Sequence, residues 1–177
     1  MPHRSVGVPR ATARPAAPLA ACCALLLAAC SLPRDSDGTL DRIRGGSVRV
    51  GVAENPPWVH SVGDSARIDS VSGIESAMAL ELARRVSAKP EWHRGSESEL
   101  LHALHERELD LVIGGLTSAS PWAKEVAFTK PYYSAEDGKH VLAVAPGENA
   151  WLVEVERFLR ERGPALVHEM GGPPEKK

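Results

Sequence analysis

The sequence predicts an α/β fold with a mainly parallel sheet and helices on both faces. Three observations carry this. Val48-Arg49-Val50-Gly51-Val52 alternates like a strand. From Gly73 to Val86, Ile74, Met78, Leu82 and Val86 recur every four residues, with Ala79 and Ala83 beside them, which gives a helix one apolar face. Leu109 to Ile113 is a short apolar run closed by Gly114-Gly115, the pattern of a strand buried on both sides. Strands alternating with helices place helices against a parallel sheet.

The remaining elements follow in order. Asn55-Pro56-Pro57-Trp58 breaks the first strand into a loop. Residues 59–72 mix Val with Gly63-Asp64 and Ser, as a small hairpin does. Pro90 ends the first long helix, and Glu91-Trp92-His93 forms a short strand. Ser96-Glu97-Ser98-Glu99 has capping-box spacing, so a helix follows to about Glu108, burying Leu100, Leu101 and Leu104. Pro121 opens a short helix around Trp122 to Val126. Phe128 to Tyr133 is extended, His140 to Ala145 is a strand, and Ala150 to Arg162 is the last helix. No internal repeat is visible.

The chain of 177 residues is 43% hydrophobic and 25% charged, a soluble-globular composition that excludes disorder, collagen or coiled coil for its bulk. The net charge of −2 gives no electrostatic case for nucleic acid. The charge is unevenly placed. Residues 1–29 hold Arg4, Arg10 and Arg14 and no acid, which leaves a net of −5 on the rest.

Residues 1–29 read as a lipoprotein signal peptide. A basic stretch precedes an apolar run from Ala16 to Ala29, which is shorter than the roughly 20 residues a bilayer span needs. It ends in Leu27-Ala28-Ala29-Cys30, which resembles a lipobox, with Cys30 as the lipidation site. Acyl chains there would tether the protein to the cell envelope on the extracytoplasmic side. The three cysteines are Cys22, Cys23 and Cys30, so residues after Cys30 offer no thiol for a disulfide, a metal or a nucleophile. Residues 30–47, polar with Pro33, Asp35, Asp37, Gly45 and Gly46, read as a flexible tether, 48–162 as the domain, and 163–177 as a disordered tail. The roughly 150 residues that remain suffice for a core that buries about 68–70% of the unfolded surface.

In open α/β sheets ligands bind beyond the carboxyl ends of the strands. Two loops leave those ends here, Glu54 to Trp58 and Gly114 to Ser120. Trp58 there either stacks a ligand or caps the sheet edge. Glu75 either complements the dipole of its helix or contacts ligand. Gly115, Thr117 and Ser118 offer backbone N–H groups and hydroxyls. Trp122 is either a packing residue or a partner contact. His102 and His105 lie three apart on a helix, but no third metal ligand is evident, so no metal or other cofactor is assigned.

Taken together, these segments resemble the family 3 extracellular solute-binding proteins, receptors of ABC importers for polar amino acids. The likeness covers about residues 47–162. It rests on Val48-Arg49-Val50-Gly51 with Pro56-Pro57-Trp58, on Gly73-Ile74-Glu75-Ser76-Ala77-Met78, on Asp110 through Gly115, and on Phe128-Thr129-Lys130-Pro131-Tyr132-Tyr133. The resemblance implies a type II periplasmic-binding-protein-like fold. It also implies a role as solute receptor, with a small polar solute, an ABC permease or a chain supplying a second lobe as partners, and no enzymatic activity. Three departures matter. Ala77 replaces the family's usual acid. Ala119 and Trp122 replace the Thr and Arg of the ligand loop, and that Arg grips a carboxylate in relatives. The second lobe is missing, with Ser134 to Lys139 as the splice. The resemblance therefore implies weak or altered ligand binding, and a bared cleft with Trp58 and Trp122 facing outward and open to self-association. The alternative reading is a non-transport envelope interaction or regulatory module that uses that face; a degenerate product or an enzyme ranks below both.

Overall fold

The computed structural model describes His3, residues 34–63 and residues 68–176. The signal peptide and Cys30 lie outside the described residues. From Pro33 onward the chain forms one compact unit. Its elements are α1 (Thr39–Ile43), β1 (Ser47–Val52), β2 (His60–Gly63), β3 (Ile68–Ser72), α2 (Ile74–Arg85), β4 (Lys89–Arg94), α3 (Glu97–His105), β5 (Leu111–Ile113), a 3-10 turn (Pro121–Lys124), β6 (Ala127–Phe128), β7 (Tyr133–Ala135), β8 (Gly138–His140), β9 (Ala143–Val144) and α4 (Asn149–Glu169).

The central sheet has the order β4-β1-β5-β9-β6. β1 pairs in parallel with β4 and β5, and β9 lies antiparallel between β5 and β6. Four of the five strands therefore run the same way. β2–β3 and β7–β8 are antiparallel hairpins beside this sheet.

Strand alternation sends side chains to two cores. Val48, Val50, Val52, Leu111, Ile113 and Val144 pack with α2 and α4 on one face. Val112 and Ala143 pack with Leu100, Leu101 and Leu104 of α3 on the other. Gly51 belongs to the second face, where a Cβ would stand 2.8 Å from the Leu109 side chain and 3.0 Å from that of Leu100. Its missing side chain lets α3 lie close against the sheet. The expected capping box is formed: Glu99 N–H donates to Ser96 Oγ, and the Glu99 carboxylate accepts from the Ser96 backbone N–H.

Asp110, at the entrance of β5, ties the lower end of the sheet together. Its carboxylate accepts from the Arg49 backbone N–H at 2.9 Å and from the Arg49 and Arg42 guanidinium groups. Burial acts to raise its pKa, but the Arg49 and Arg42 contacts prevail and hold it below the usual range. Its carbonyl accepts from the buried Trp151 indole at 2.8 Å.

Four expectations about the elements need correction. The stretch assigned to a tether is ordered from Asp35 onward and carries α1, whose Leu40 and Ile43 enter the core. Here apolar side chains spaced by one helical turn outweigh a polar composition. The stretch assigned to a tail continues α4 to Glu169 and buries Leu166 and Val167. Tyr133 Oη then donates to the Pro173 carbonyl at 2.8 Å, and Lys176 N–H to the Ser134 carbonyl at 2.9 Å. The expected strand His140 to Ala145 is divided between β8 and β9, and the extended stretch Phe128 to Tyr133 between β6 and β7.

Candidate functional site

The two loops predicted to form the site do lie together at the carboxyl ends of β1 and β5. Ala53 N–H donates to the Ile113 carbonyl at 2.9 Å, and Asn55 Nδ2 donates to the Gly114 carbonyl at 2.9 Å. The approach is close enough to exclude side chains. A Cβ on Gly114 would stand 2.6 Å from that of Ala53. Gly115 has φ +66° and would place a Cβ 2.6 Å from Trp58 Cδ1.

Glu75 holds this junction from below. It sits in the first turn of α2 and is fully buried. Its Oε2 accepts from the N–H groups of Gly114 at 2.7 Å and Gly115 at 2.9 Å. Its Oε1 accepts from Tyr132 Oη at 2.6 Å. Burial raises the Glu75 pKa, opposed by these three hydrogen bonds. Burial, and then the neighbouring Glu75 charge, push the Tyr132 hydroxyl well up. Glu75 is thus occupied by internal donors, a role that neither expectation for it covered.

The outer side of the junction is closed by the chain itself. The β7–β8 hairpin, which contains the residues read as the splice, lies on the Gly114–Ser120 loop. Ser118 N–H donates to the Lys139 carbonyl and Val141 N–H to the Leu116 carbonyl, each at 2.9 Å, so Thr117 faces His140 in an antiparallel pair. His140 is fully buried, and its ring lies over Trp58 with centroids 3.9 Å apart and planes at 32°. Tyr132 and Tyr133 meet Trp58 edge-on at 6.3 Å. His140 Nε2 pairs with Asp137 Oδ1 at 2.9 Å, while its buried Nδ1 has no partner among the described residues.

This arrangement overturns the expectation of a bared aromatic cleft. Trp58 is 2% exposed and belongs to the core, and Trp122 is half-buried against the α3 core. An apolar ring beside a hairpin of this length is covered without a second lobe. The loop's amides are also largely committed: those of Gly114 and Gly115 to Glu75, and that of Ser118 to Lys139. On this loop the N–H groups of Leu116, Thr117 and Ala119 have no partner among the described residues, and of these three residues Thr117 also carries a hydroxyl. That hydroxyl engages no group among the described residues either, and Thr117 is only half-buried. The Ser118 side chain and Ala119 are exposed beside it.

Sequence reading missed His140, Asp137 and Tyr132. A histidine three residues after an aspartate across a glycine turn is a local signal, but nothing in it indicates that the imidazole turns inward onto Trp58.

Comparison with known proteins agrees with this geometry. The family model for bacterial extracellular solute-binding proteins, family 3, matches residues 48–169. The chain belongs to that family. A search of curated proteins gives no match. Among solved structures, the arginine-bound form of domain 1 from TmArgBP is 28% identical, with a TM-score of 0.57, over 67% of this chain and 94% of that one. The Phe57Trp mutant of the same form is 26% identical, with a TM-score of 0.60, over 71% and 98%. The ancestral amino acid-binding protein AncCDT-1, a precursor of cyclohexadienyl dehydratase, shares the fold at 16% identity and a TM-score of 0.61, over 75% and 98%. Family and neighbours point to a solute-binding role rather than an enzymatic one, and the family implies an extracytoplasmic location. Among the described residues no helix is long and apolar enough to cross a membrane.

Proposed function

We propose that this chain is a single-lobe solute-binding lipoprotein, tethered at Cys30, that contacts a small polar solute weakly at Gly115, Thr117 and Ser118. The observation that supports the reading is Thr117, which is half-buried and whose N–H and hydroxyl have no partner among the described residues, on a loop where Gly114, Gly115, Ser118 and Ser120 have committed theirs. Domain 1 from TmArgBP holds arginine as an isolated domain, which supports solute binding by one lobe and makes L-arginine the first solute to test. An ABC permease of the importer class is the partner that fits a family 3 receptor.

Affinity is low for a physical reason. A free amino acid presents a carboxylate, which is costly to bury unpaired. Trp122 and Ala119 supply neither a charge nor a hydroxyl. Two lost hydrogen bonds to a charged group, worth about 1.5–3 kcal/mol each, weaken binding at least about a hundredfold. Calorimetry on the chain without its signal peptide should therefore give no Kd for L-arginine or another standard amino acid below about 1 mM, a ΔG° of about −4 kcal/mol. The double change Ala119→Thr with Trp122→Arg should tighten binding. Micromolar binding by the unmodified chain would contradict this reading.

The anchor has its own test. Cys30→Ala should abolish acylation and release the protein from the membrane fraction; normal processing and retention of that variant would remove the lipoprotein assignment.

The second reading, an envelope interaction module, draws support from the same committed amides, since a face closed by the chain's own hairpin suits a macromolecular partner as well as a solute.

A further inference from the structure

We propose that the lipid anchor fixes the domain's orientation, with the pole formed by α1, Arg107–Asp110 and Pro146–Asn149 turned to the lipid surface and the Gly114–Ser120 loop facing away from it. The inference rests on the reading of Cys30 as the acylated residue and goes beyond it.

The first observation is how early the fold grips the chain. Asp35 Oδ1 accepts from the N–H groups of Ala150 at 2.6 Å and Trp151 at 2.9 Å, and its Oδ2 accepts from Leu40 N–H at 2.7 Å. Ser36 N–H donates to the Gly147 carbonyl. The buried Glu148 accepts from the N–H groups of Asp37 and Thr39 and pairs with Arg107. The chain is thus fixed to the domain from residue 35. Only five residue steps separate Asp35 from Cys30. At a maximum of about 3.6 Å per residue they reach about 18 Å.

The second observation is where that grip lies. β9 runs antiparallel to β5 and descends from the ligand loop, where Val141 N–H meets the Leu116 carbonyl, toward Pro146–Asn149. Asp110 and Arg49, at the entering ends of β5 and β1, lie at the same pole. The solute loops leave the opposite, carboxyl ends. A unit of 145 residues has a radius of gyration of about 15 Å and is about 38 Å across. If the solute loops touched the bilayer, the attachment point would stand about 38 Å above it, beyond an 18 Å leash. That orientation is excluded, and the pole that carries Arg42, Arg44 and Asp41, where the chain is gripped, is the part of the domain held nearest the lipid surface.

The test uses residues 30–177, coupled through their one thiol, Cys30, to vesicles of phosphatidylcholine with a maleimide lipid and a spin-labelled headgroup lipid as short-range quencher. A fluorophore is introduced by p-azidophenylalanine at position 41, where Asp41 is largely exposed, or at position 119 on the recognition loop. Strong quenching at position 41 and none above the uncoupled control at position 119 is expected. Equal quenching at both positions, or stronger quenching at 119, would overturn the orientation. A Gly/Ser insert of 20 residues before Pro33, with a mean reach of about 25 Å, should abolish the difference; its persistence would show that the leash does not set the orientation. Flotation of cell-expressed protein with membranes separately tests the anchor, because chemical coupling bypasses natural acylation.

Discussion

Glu75→Ala should cost the lobe about 3–5 kcal/mol and lower its Tm by roughly 10 °C, since each buried donor left unpaired costs about 1–3 kcal/mol. Three donors converge on this carboxylate, from Gly114, Gly115 and Tyr132, in a site with no access to water. Relief of the carboxylate's own burial offsets part of the loss. Glu75→Gln keeps an acceptor and should cost less. The pair also predicts a pH dependence. The folded-state pKa of Glu75 is raised, so the native protein binds this proton more tightly than the unfolded chain. Its contribution is fully present below the ordinary glutamate pKa and is lost as pH rises through the raised value. Glu75→Gln has no such loss, so its stability relative to wild type should improve as pH rises through that window. Urea unfolding of both proteins across mildly acidic to neutral pH measures the difference; parallel profiles would show that Glu75 does not titrate in the fold as described.

Trp58→Ala is the second large effect, about 3–5 kcal/mol for truncating a buried aromatic. Trp58 is 2% exposed and touches Tyr132, Tyr133 and His140. A residue presented to a ligand or a partner would instead be nearly neutral to stability. His140→Ala should be less costly, because it also removes a buried nitrogen that has no partner among the described residues. The double variant should show a coupling of about 0.5–1.5 kcal/mol if the two rings stabilise one another. Additivity, with a small cost for Trp58→Ala alone, would mean that the hairpin does not close on the loop.

Much of the scaffold is legible in the residues. Val48, Val50 and Val52 alternate, α2 repeats every four residues, and Ser96 to Glu99 writes its own cap; in each, local pattern and tertiary packing agree. The errors fall where they diverge. Gly163 and Pro164 read as a helix end, yet α4 continues through both. At Gly163 a Cβ would stand 3.2 Å from that of Tyr132, so the helix runs close against the residue that precedes β7, and tertiary packing outweighs local propensity there. The composition of 30–47 is polar, but Asp35 and Asp37 reach partners more than a hundred residues away that no local pattern announces. That the two loops meet at the carboxyl ends of β1 and β5 was legible from topology. The closure of one by His140 was not, because it depends on a long-range pairing between Thr117 and the hairpin.

The most direct measurement of the central claim is amide mapping of the mature domain by NMR during titration with L-arginine. Weak solute binding by one lobe predicts shifts concentrated at Gly115, Thr117 and Ser118, largest at Thr117, with half-saturation at or above about 1 mM. Shifts centred elsewhere, or no shift at Thr117 at tens of millimolar arginine while the fold stays intact, would contradict the assignment of this loop as a solute site.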